Sequence, residues 1–267
     1  MSELKAIIFD MDGTLADTEE LHRRAFNLAF KDCACPLNWS RREYKQLLSI
    51  SGGKERIYHC LRQAGVAVDE LQRTTDTVHQ RKSVIYRQIL VADNIELRPG
   101  IRRLVEECRL AGLKLAIATS SSTENVKTLL HSTFGGTGDE LFAAVVTSDH
   151  IADKKPSPAV YQHTLSELGL KAENCIAIED TRNGNLAGLA AGIKTVITTH
   201  PLTIDNDFAG ASLVINHLGE PDKPFRPMAG TAYGCHYVDL ALLKTLHSSP
   251  SDVGQYPFDL AKVALNR

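Results

Sequence analysis

Residues 6–14 read AIIFDMDGT, a short apolar run followed at once by two aspartates two positions apart. The run predicts a buried strand ending at Phe9, so Asp10 and Asp12 come where that strand reaches the surface. Two carboxylates there repel each other and resist desolvation unless a cation, a proton or a basic side chain compensates them. The pattern suggests Mg²⁺-dependent phosphoryl chemistry, with one carboxylate as nucleophile and the other as proton carrier. A bare Asp-x-Asp is explained equally well by a strand followed by an Asx turn.

Composition places the chain among ordinary globular proteins and excludes several partners. The 267 residues are 43% hydrophobic and 23% charged, which allows one large domain or two unequal ones. A formal charge of -2 gives no general attraction to nucleic acid or to an anionic membrane. No apolar run approaches the roughly 18 to 20 residues of a membrane span, and the first strand begins too early for a secretory or transit segment. We therefore expect a cytoplasmic protein, and a monomer.

The six cysteines are scattered along the chain, and only Cys33 and Cys35 are close in sequence. This pair has no second pair and no nearby histidine at the spacing of a zinc site. We expect reduced thiols, with a zinc site or a disulfide framework as the alternative.

Helical periodicity dominates residues 17–94, where strand patterns are almost absent. Leu21, Ala25, Leu28 and Ala29 share one helical face, and Ser51-Gly52-Gly53 interrupts the pattern with a tight loop. This predicts a helical domain inserted after the first strand. The remainder is predicted as a core of residues 1–16 and 95–247 and a C-terminal tail of residues 248–267. We expect the linkers at 16–18 and 94–99 to act as hinges.

From residue 98 onward, helices and strands alternate, which predicts the α/β class with a parallel sheet covered by helices on both faces. The predicted helices lie near 101–111, 124–131, 159–168 and 237–246. The predicted strands are 114–119, 143–147, 175–179 and 194–198, and loops are predicted at 134–138 and 219–227.

The carboxyl ends of parallel strands form the edge at which open α/β sheets bind ligands. In this sequence those ends carry polar residues of complementary chemistry. They are Asp10 and Asp12, Thr119 and Ser120, Lys155, and Glu179 with Asp180.

Each of these residues suits a site that binds a phosphate together with a metal cation. The Thr119 hydroxyl and the Ser120 amide suit a phosphate, since residues 121–124 have the pattern of a capping box that opens a helix. Lys155 is preferred to Lys154 as the catalytic cation because the following proline restricts its backbone. Adjacent acids after a buried strand, at Glu179 and Asp180, require compensation that a hard cation supplies.

The segments DMDGT, ATSSS, KKPSP and IEDTRNG, in this order, resemble the four motifs of the haloacid dehalogenase-like superfamily of phosphohydrolases. The insert resembles the superfamily's helical C1-type cap, and the core its Rossmann-like sheet. The resemblance implies that Asp10 is the nucleophile that forms an aspartyl phosphate, and that Asp12 is the general acid and then the general base. It implies that Thr119 and Lys155 bind the transferring phosphoryl group. The implied Mg²⁺ ligands are Asp10, Asp180 and the backbone carbonyl of Asp12, with Glu179 either a direct ligand or a partner of the direct ligands.

The two neighbouring aspartates are expected to differ in protonation. Asp10 stays ionised beside Mg²⁺ and Lys155, whereas Asp12 gives the metal only its backbone and can hold a proton.

Within the superfamily, FDMDGTLADTEELHRRAFN (9–27), YKQLLSISGGKERI (44–57) and YVDLALL (237–243) resemble the CbbY-like group. That group includes phosphatases of sugar bisphosphates, notably xylulose 1,5-bisphosphate, which inhibits Rubisco, the carbon-fixing enzyme of the Calvin cycle. The resemblance implies that Glu19 and His22 face sugar hydroxyls and that Lys54, Arg56 and Lys82 grip the distal phosphate. Without it, His22 and Lys82 are ordinary helix-surface residues. A β-phosphoglucomutase-like phosphomutase and a non-catalytic regulatory module on the same fold are the alternative functions.

Overall fold

The computed structural model describes residues 2–251 and residue 253. These residues form one sheet of β1 Ala6–Phe9, β2 Lys114–Ala118, β3 Ala144–Val146, β4 Cys175–Glu179, β5 Lys194–Thr198, β6 Leu213–Ile215 and β7 Pro227–Gly230. The strand order is β3-β2-β1-β4-β5-β6-β7. All neighbours pair in parallel except β6 and β7. The predicted α/β class with a parallel sheet is confirmed, and β7 adds one antiparallel strand at the edge.

Four helices directly follow β1 in the chain: α1 Glu19–Asp32, α2 Arg41–Leu47, α3 Gly53–Gln63 and α4 Val68–Ala92. The later helices are α5 Ile101–Leu110, α6 Thr123–Phe134, α7 Gly138–Leu141, α8 Ala159–Leu168, α9 Arg182–Ala190 and α10 Leu240–Ser248. None of the helices in the described part of the chain is long and apolar enough to cross a bilayer.

Several predicted boundaries differ from the structure for local reasons. The strands β6 and β7 were not predicted, since β6 has three residues and β7 begins at a proline and ends at a glycine. The predicted loop at 134–138 contains the end of α6, a 3₁₀ turn at Gly135–Thr137 and the start of α7. The last helix begins at Leu240, not near 237, because the Asp239 side chain caps it by accepting from the Leu242 amide at 2.7 Å.

The central position of β1 determines where the catalytic candidates meet. Phe9 stands in register with Ile117 of β2 and Ile178 of β4, so the residues after these three strands come to one edge. Ile7 and Phe9 pack into the core cluster shared with α1 and α4, while Ala6 and Ile8 face the opposite cluster beneath α8.

The two linkers of the helical insert run side by side. Ala16 and Leu97 form an antiparallel bridge, and the Arg98 amide donates to the Leu15 carbonyl at 2.8 Å. The half-buried Arg98 guanidinium also donates to the backbone carbonyls of Gly13, Thr198, Thr199 and Asn216.

All six cysteines are free thiols in the structure, and burial raises the pKa of Cys175 to about 11. Of the predicted tail 248–267, residue 252 and residues 254–267 lie outside the described residues.

Candidate active site

Three buried carboxylates meet at the carboxyl ends of β1 and β4. Asp10, Glu179 and Asp180 each bring an oxygen within 4.8 Å of the others. The Asp10 amide continues the strand ladder by donating to the Ile178 carbonyl at 2.9 Å. The sheet register alone therefore gathers acids that are about 170 positions apart in sequence.

Lys155 supplies the one ammonium that contacts these acids in the described part of the chain. Its Nζ donates to Asp10 Oδ1 at 2.6 Å, to Glu179 Oε1 at 2.5 Å and to the Ala118 carbonyl at 2.9 Å. Burial would lower the pKa of Lys155, but the charges of Asp10 and Glu179 outweigh it and raise that pKa. Burial also raises the pKa of Asp10 well above its usual value, with the charges of Glu179 and Asp180 adding to the shift and Lys155 opposing it.

Asp180 is held between a histidine and a threonine. Its Oδ2 contacts His200 Nε2 at 3.0 Å, and its Oδ1 accepts from Thr14 Oγ1 at 3.5 Å. Burial raises the pKa of Asp180 to about 6, although the hydrogen bond from His200 opposes the shift. Gly13 is required beside it, because its φ is +82° and a Cβ there would lie 2.3 Å from Asp180 Oδ2.

The side chain of Asp12 points away from this trio into a set of hydrogen-bond donors. Its Oδ1 accepts from Thr18 Oγ1 at 2.6 Å and Tyr86 Oη at 3.2 Å and contacts His22 Nε2 at 2.9 Å. Its Oδ2 accepts from Ser121 Oγ.

These donors favour the ionised form of Asp12. Burial alone would raise the pKa of Asp12, but His22 and the hydrogen bonds from Ser121 and Thr18 outweigh it and hold that pKa well below its usual range. Asp12 has several donors, while Asp10 shares Lys155 with Glu179. That Asp12 holds a proton when Mg²⁺ and substrate are bound stays a prediction.

A lysine and a tyrosine of α4 fix the orientation of His22. Lys82 Nζ lies 2.7 Å from His22 Nδ1, and a charged ammonium can only donate, so His22 carries its proton on Nε2 and donates to Asp12. The Tyr86 ring stacks on the imidazole with centroids 3.9 Å apart. Burial, with the charge of Lys82, lowers the pKa of His22. Burial also lowers the pKa of Lys82 itself to about 8.

The start of α6 departs from the predicted capping box. Ser122 is the N-cap and makes no side-chain bond to the helix, and the Thr123 amide donates instead to Asp149 Oδ2 at 2.9 Å. Ser121 is thereby free to reach Asp12. The Ser120 hydroxyl is buried without a hydrogen-bond partner, and the Thr119 hydroxyl accepts from the Ser121 amide at 3.1 Å.

A cavity of about 340 Å³ between the sheet edge and the helical insert brings the predicted residues together. Its lining includes every predicted site residue except Glu179: Asp10, Asp12, Glu19, His22, Lys54, Arg56, Lys82, Thr119, Ser120, Lys155 and Asp180. Glu179 is completely buried behind it, where Tyr161 Oη also donates to its Oε1 at 2.6 Å.

The residues of the insert reach the cavity with partners of their own. Glu19 accepts from Tyr44 Oη at 2.7 Å, and Arg56 donates to that same hydroxyl at 3.2 Å. Lys54 Nζ pairs with Asp76 at 2.7 Å. The simple reading of His22 and Lys82 as surface residues is wrong, since both are about nine-tenths buried.

The residues present fit Mg²⁺. Three buried carboxylates face one lysine, and the pKa values of Asp10 and Asp180 are raised by burial first and by the neighbouring carboxylates second. Carboxylate oxygens are the ligands that Mg²⁺ prefers. The Asp12 carboxylate is engaged by other donors, so it does not belong to this trio.

Sequence reasoning missed several groups that contact the predicted ones. Tyr86 lies four positions after Lys82 on the same face of α4, Tyr161 lies on the helix that follows Lys155, and His200 follows the end of β5. The helical spacing from Lys82 was a signal for Tyr86. The rule that strand ends carry site residues, applied also to β5, was a signal for His200. Nothing in the local sequence indicated that Tyr161 reaches Glu179.

Comparison with known proteins gives consistent matches. The family model of the haloacid dehalogenase-like hydrolases matches residues 4–192. The plasmid-borne protein CbbY of Cupriavidus necator is 42% identical over 251 residues, which cover 91% of this chain and 97% of that protein.

Solved structures of the same group are similar as well. The crystal structure of CbbY from Rhodobacter sphaeroides in complex with phosphate matches with a TM-score of 0.75 and 38% identity, over 80% of this chain and 94% of that one. A mutant of the Rhodobacter sphaeroides protein in complex with xylulose-(1,5)bisphosphate matches with a TM-score of 0.75 and 37% identity, over 82% and 98% of the two chains.

Proposed function

Since the chain belongs to the haloacid dehalogenase-like hydrolase family, within it to the CbbY-like group, and is a hydrolase of phosphoric monoesters, we propose that it is a Mg²⁺-dependent sugar-bisphosphate phosphatase. The predicted family and fold are confirmed by these matches. Our best candidate for the substrate is xylulose 1,5-bisphosphate, the ligand named for the Rhodobacter sphaeroides mutant.

The observation that carries the proposal is the position of Asp10. Its carboxylate lies at the cavity, 2.6 Å from Lys155 Nζ, beside the two acids at the end of β4. In our mechanism Asp10 attacks phosphorus, the bond to the leaving sugar oxygen breaks, and an aspartyl phosphate remains. Thr119, Ser120 and Lys155 hold the phosphoryl oxygens. Asp10, the Asp12 backbone carbonyl, Asp180 and Glu179 would hold Mg²⁺, whose charge would offset that of the phosphoryl group.

Asp12 moves the proton in this proposal. It protonates the leaving sugar oxygen and then removes a proton from the water that hydrolyses the aspartyl phosphate. The low pKa of Asp12 in the free protein means that it must take up a proton first. A phosphate dianion entering the cavity favours this, because a like charge raises the pKa of a nearby carboxyl group.

The insert favours a second anionic group on the substrate. Lys54, Arg56 and Lys82 line the cavity together, and we assign them to the distal phosphate. Glu19 and His22 are assigned to sugar hydroxyls. Residues 17–94 then form the cap, and the paired linkers at Ala16 and Leu97 are the hinges about which it opens and closes.

A Mg²⁺-dependent phosphate-release assay over pentulose and hexose monophosphates and bisphosphates tests the proposal. We expect selectivity for bisphosphates and loss of phosphate release in Asp10→Asn, with Asp222→Asn, in an exposed loop, as the matched control. Wild-type release by Asp10→Asn would refute the nucleophile assignment. Formation of glucose 6-phosphate from glucose 1-phosphate, without free phosphate, would favour the phosphomutase. No turnover over the whole panel would favour the non-catalytic module.

The proposal places the protein in carbohydrate metabolism as a cytoplasmic monomer serving the Calvin cycle. Support for the pathway comes from the sequence similarity to CbbY. Light scattering after size-exclusion chromatography tests the monomer, and a dimeric mass would contradict it.

A further inference from the structure

Lys154, the neighbour of the catalytic lysine, has no part in the mechanism above, yet it makes a contact across the cavity. Its Nζ lies 2.6 Å and 2.7 Å from the two carboxylate oxygens of Glu55, which is 99 positions away in the first turn of α3. Lys155 points instead to Asp10 and Glu179. Two adjacent lysines therefore connect the reacting carboxylates with the insert.

The backbone of the insert leaves room for this ion pair. Gly52 has a φ of +97°, and a Cβ there would lie 2.1 Å from Glu55 Oε2 and 2.5 Å from Lys154 Nζ. Glycine at this position thus serves both the turn before α3 and the close approach of Lys154.

A second contact holds the same segment from the other side of the cavity. The side-chain amide of Asn183, three positions after Asp180, donates to the Ser49 carbonyl and to Ser51 Oγ, each at 3.0 Å. Residues 49–56 are thereby attached to the loop that carries Lys155 and to the first turn of α9, which directly follows Asp180 and Thr181.

The segment held in this way includes the two cations that flank Glu55. Lys54 and Arg56 line the cavity, as does Lys154. An unpaired Glu55 carboxylate between them would compete with a substrate anion for both cations. Its pairing with Lys154 removes that competition.

We propose that Lys154 is a positioning residue for substrate binding, because its ion pair with Glu55 holds residues 49–56 so that Lys54 and Arg56 meet the anionic group of the substrate remote from Asp10. The inference rests on the proposed function for its substrate and deepens it. Lys154 itself touches no reacting atom.

The kinetic test compares Lys154→Met, Glu55→Gln and the exchanged pair Lys154→Glu with Glu55→Lys. The substrates are xylulose 1,5-bisphosphate and p-nitrophenyl phosphate, which carries only the reacting phosphate. Each single variant should raise KM for the bisphosphate about fivefold and keep kcat within about twofold, the scale of a partly exposed ion pair. Neither should change KM for p-nitrophenyl phosphate. The exchanged pair should restore KM, and Lys127→Met, which removes a lysine from an exposed pair on α6, should match wild type.

Hydrogen exchange provides a second readout that needs no substrate. Amides of residues 49–57 should exchange faster in both single variants and return to the wild-type rate in the exchanged pair. Unchanged exchange in the single variants, or no recovery of KM in a folded exchanged pair, would overturn the inference. If wild type releases no phosphate from the bisphosphate, the proposed function fails, and the exchange experiment still decides the role of Lys154.

Discussion

Replacing Gly184 with alanine sets two effects of opposite sign against each other. Gly184 lies in the first turn of α9 without a positive φ, so alanine suits its backbone and improves helix propensity by about 1 kcal/mol. The new methyl group, however, would lie 1.9 Å from Glu179 Oε2 and 2.0 Å from its carboxyl carbon. Atoms cannot approach this closely, so Glu179 or the helix has to move.

Glu179 has little freedom to move. It is fully buried and accepts hydrogen bonds from Lys155, Tyr161 and the Asp180 amide. Breaking a buried ion pair costs about 3–5 kcal/mol. The clash therefore outweighs the propensity, and we expect Gly184→Ala to lower the free energy of unfolding by about 2–4 kcal/mol. For a chain of this size the melting temperature should fall by roughly 5–15 °C.

Urea unfolding and thermal melts, with phosphate release measured on the same samples, check this prediction. Gly136→Ala is the matched control, because its φ is not positive and its added Cβ would meet nothing within 4 Å. The control should stay within about 0.5 kcal/mol of wild type. A Gly184→Ala protein as stable and as active as wild type would show that Glu179 is not held as tightly as we argue.

Three further outcomes follow from the same site. Burial lowers the pKa of Lys82 to about 8, so its charge costs stability below pH 8 and this cost disappears as the pH rises from 8 to 10.5. Over that pH window the free energy of unfolding of wild type, measured with urea, should rise by up to about 3 kcal/mol relative to that of Lys82→Met. A difference between the two proteins that does not change with pH would contradict this. Tyr161→Phe removes a donor to the buried Glu179 carboxylate and should lower stability by about 2 kcal/mol, whereas an unchanged urea midpoint would argue against that hydrogen bond. Mg²⁺ at a hundredfold excess over its Kd should stabilise the protein by about 2.7 kcal/mol over EDTA, and an equal thermal melt in both would count against the site.

The residues at the carboxyl ends of the strands show how much of the site local sequence patterns can predict. Asp10, Thr119 and Glu179 were identified because polar residues directly after an apolar β-branched run are a local signal that a strand has ended. The rule that parallel strands bind ligands at their carboxyl ends then placed them together without any distance information. The late strands β6 and β7 lacked this signal, because one is very short and the other is bounded by proline and glycine.

The surroundings of Asp12 illustrate the opposite case. Its donors Thr18, Tyr86 and Ser121 come from the first linker, from α4 and from the loop after β2, and no spacing relates them. Their arrangement lowers the pKa of Asp12, a shift that the motif alone did not indicate.

The sequence by itself determined the α/β alternation, the inserted helices and the four polar strand ends, because periodicity and strand termination depend on neighbours along the chain. The tertiary structure decided which donor faces Asp12, that Lys154 meets Glu55 and that Tyr161 and His200 support the acids. These contacts depend on sheet register and on the angle at which the insert packs over the core. Both are set by the packing of the whole chain, so the spacing of residues in the sequence does not predict them.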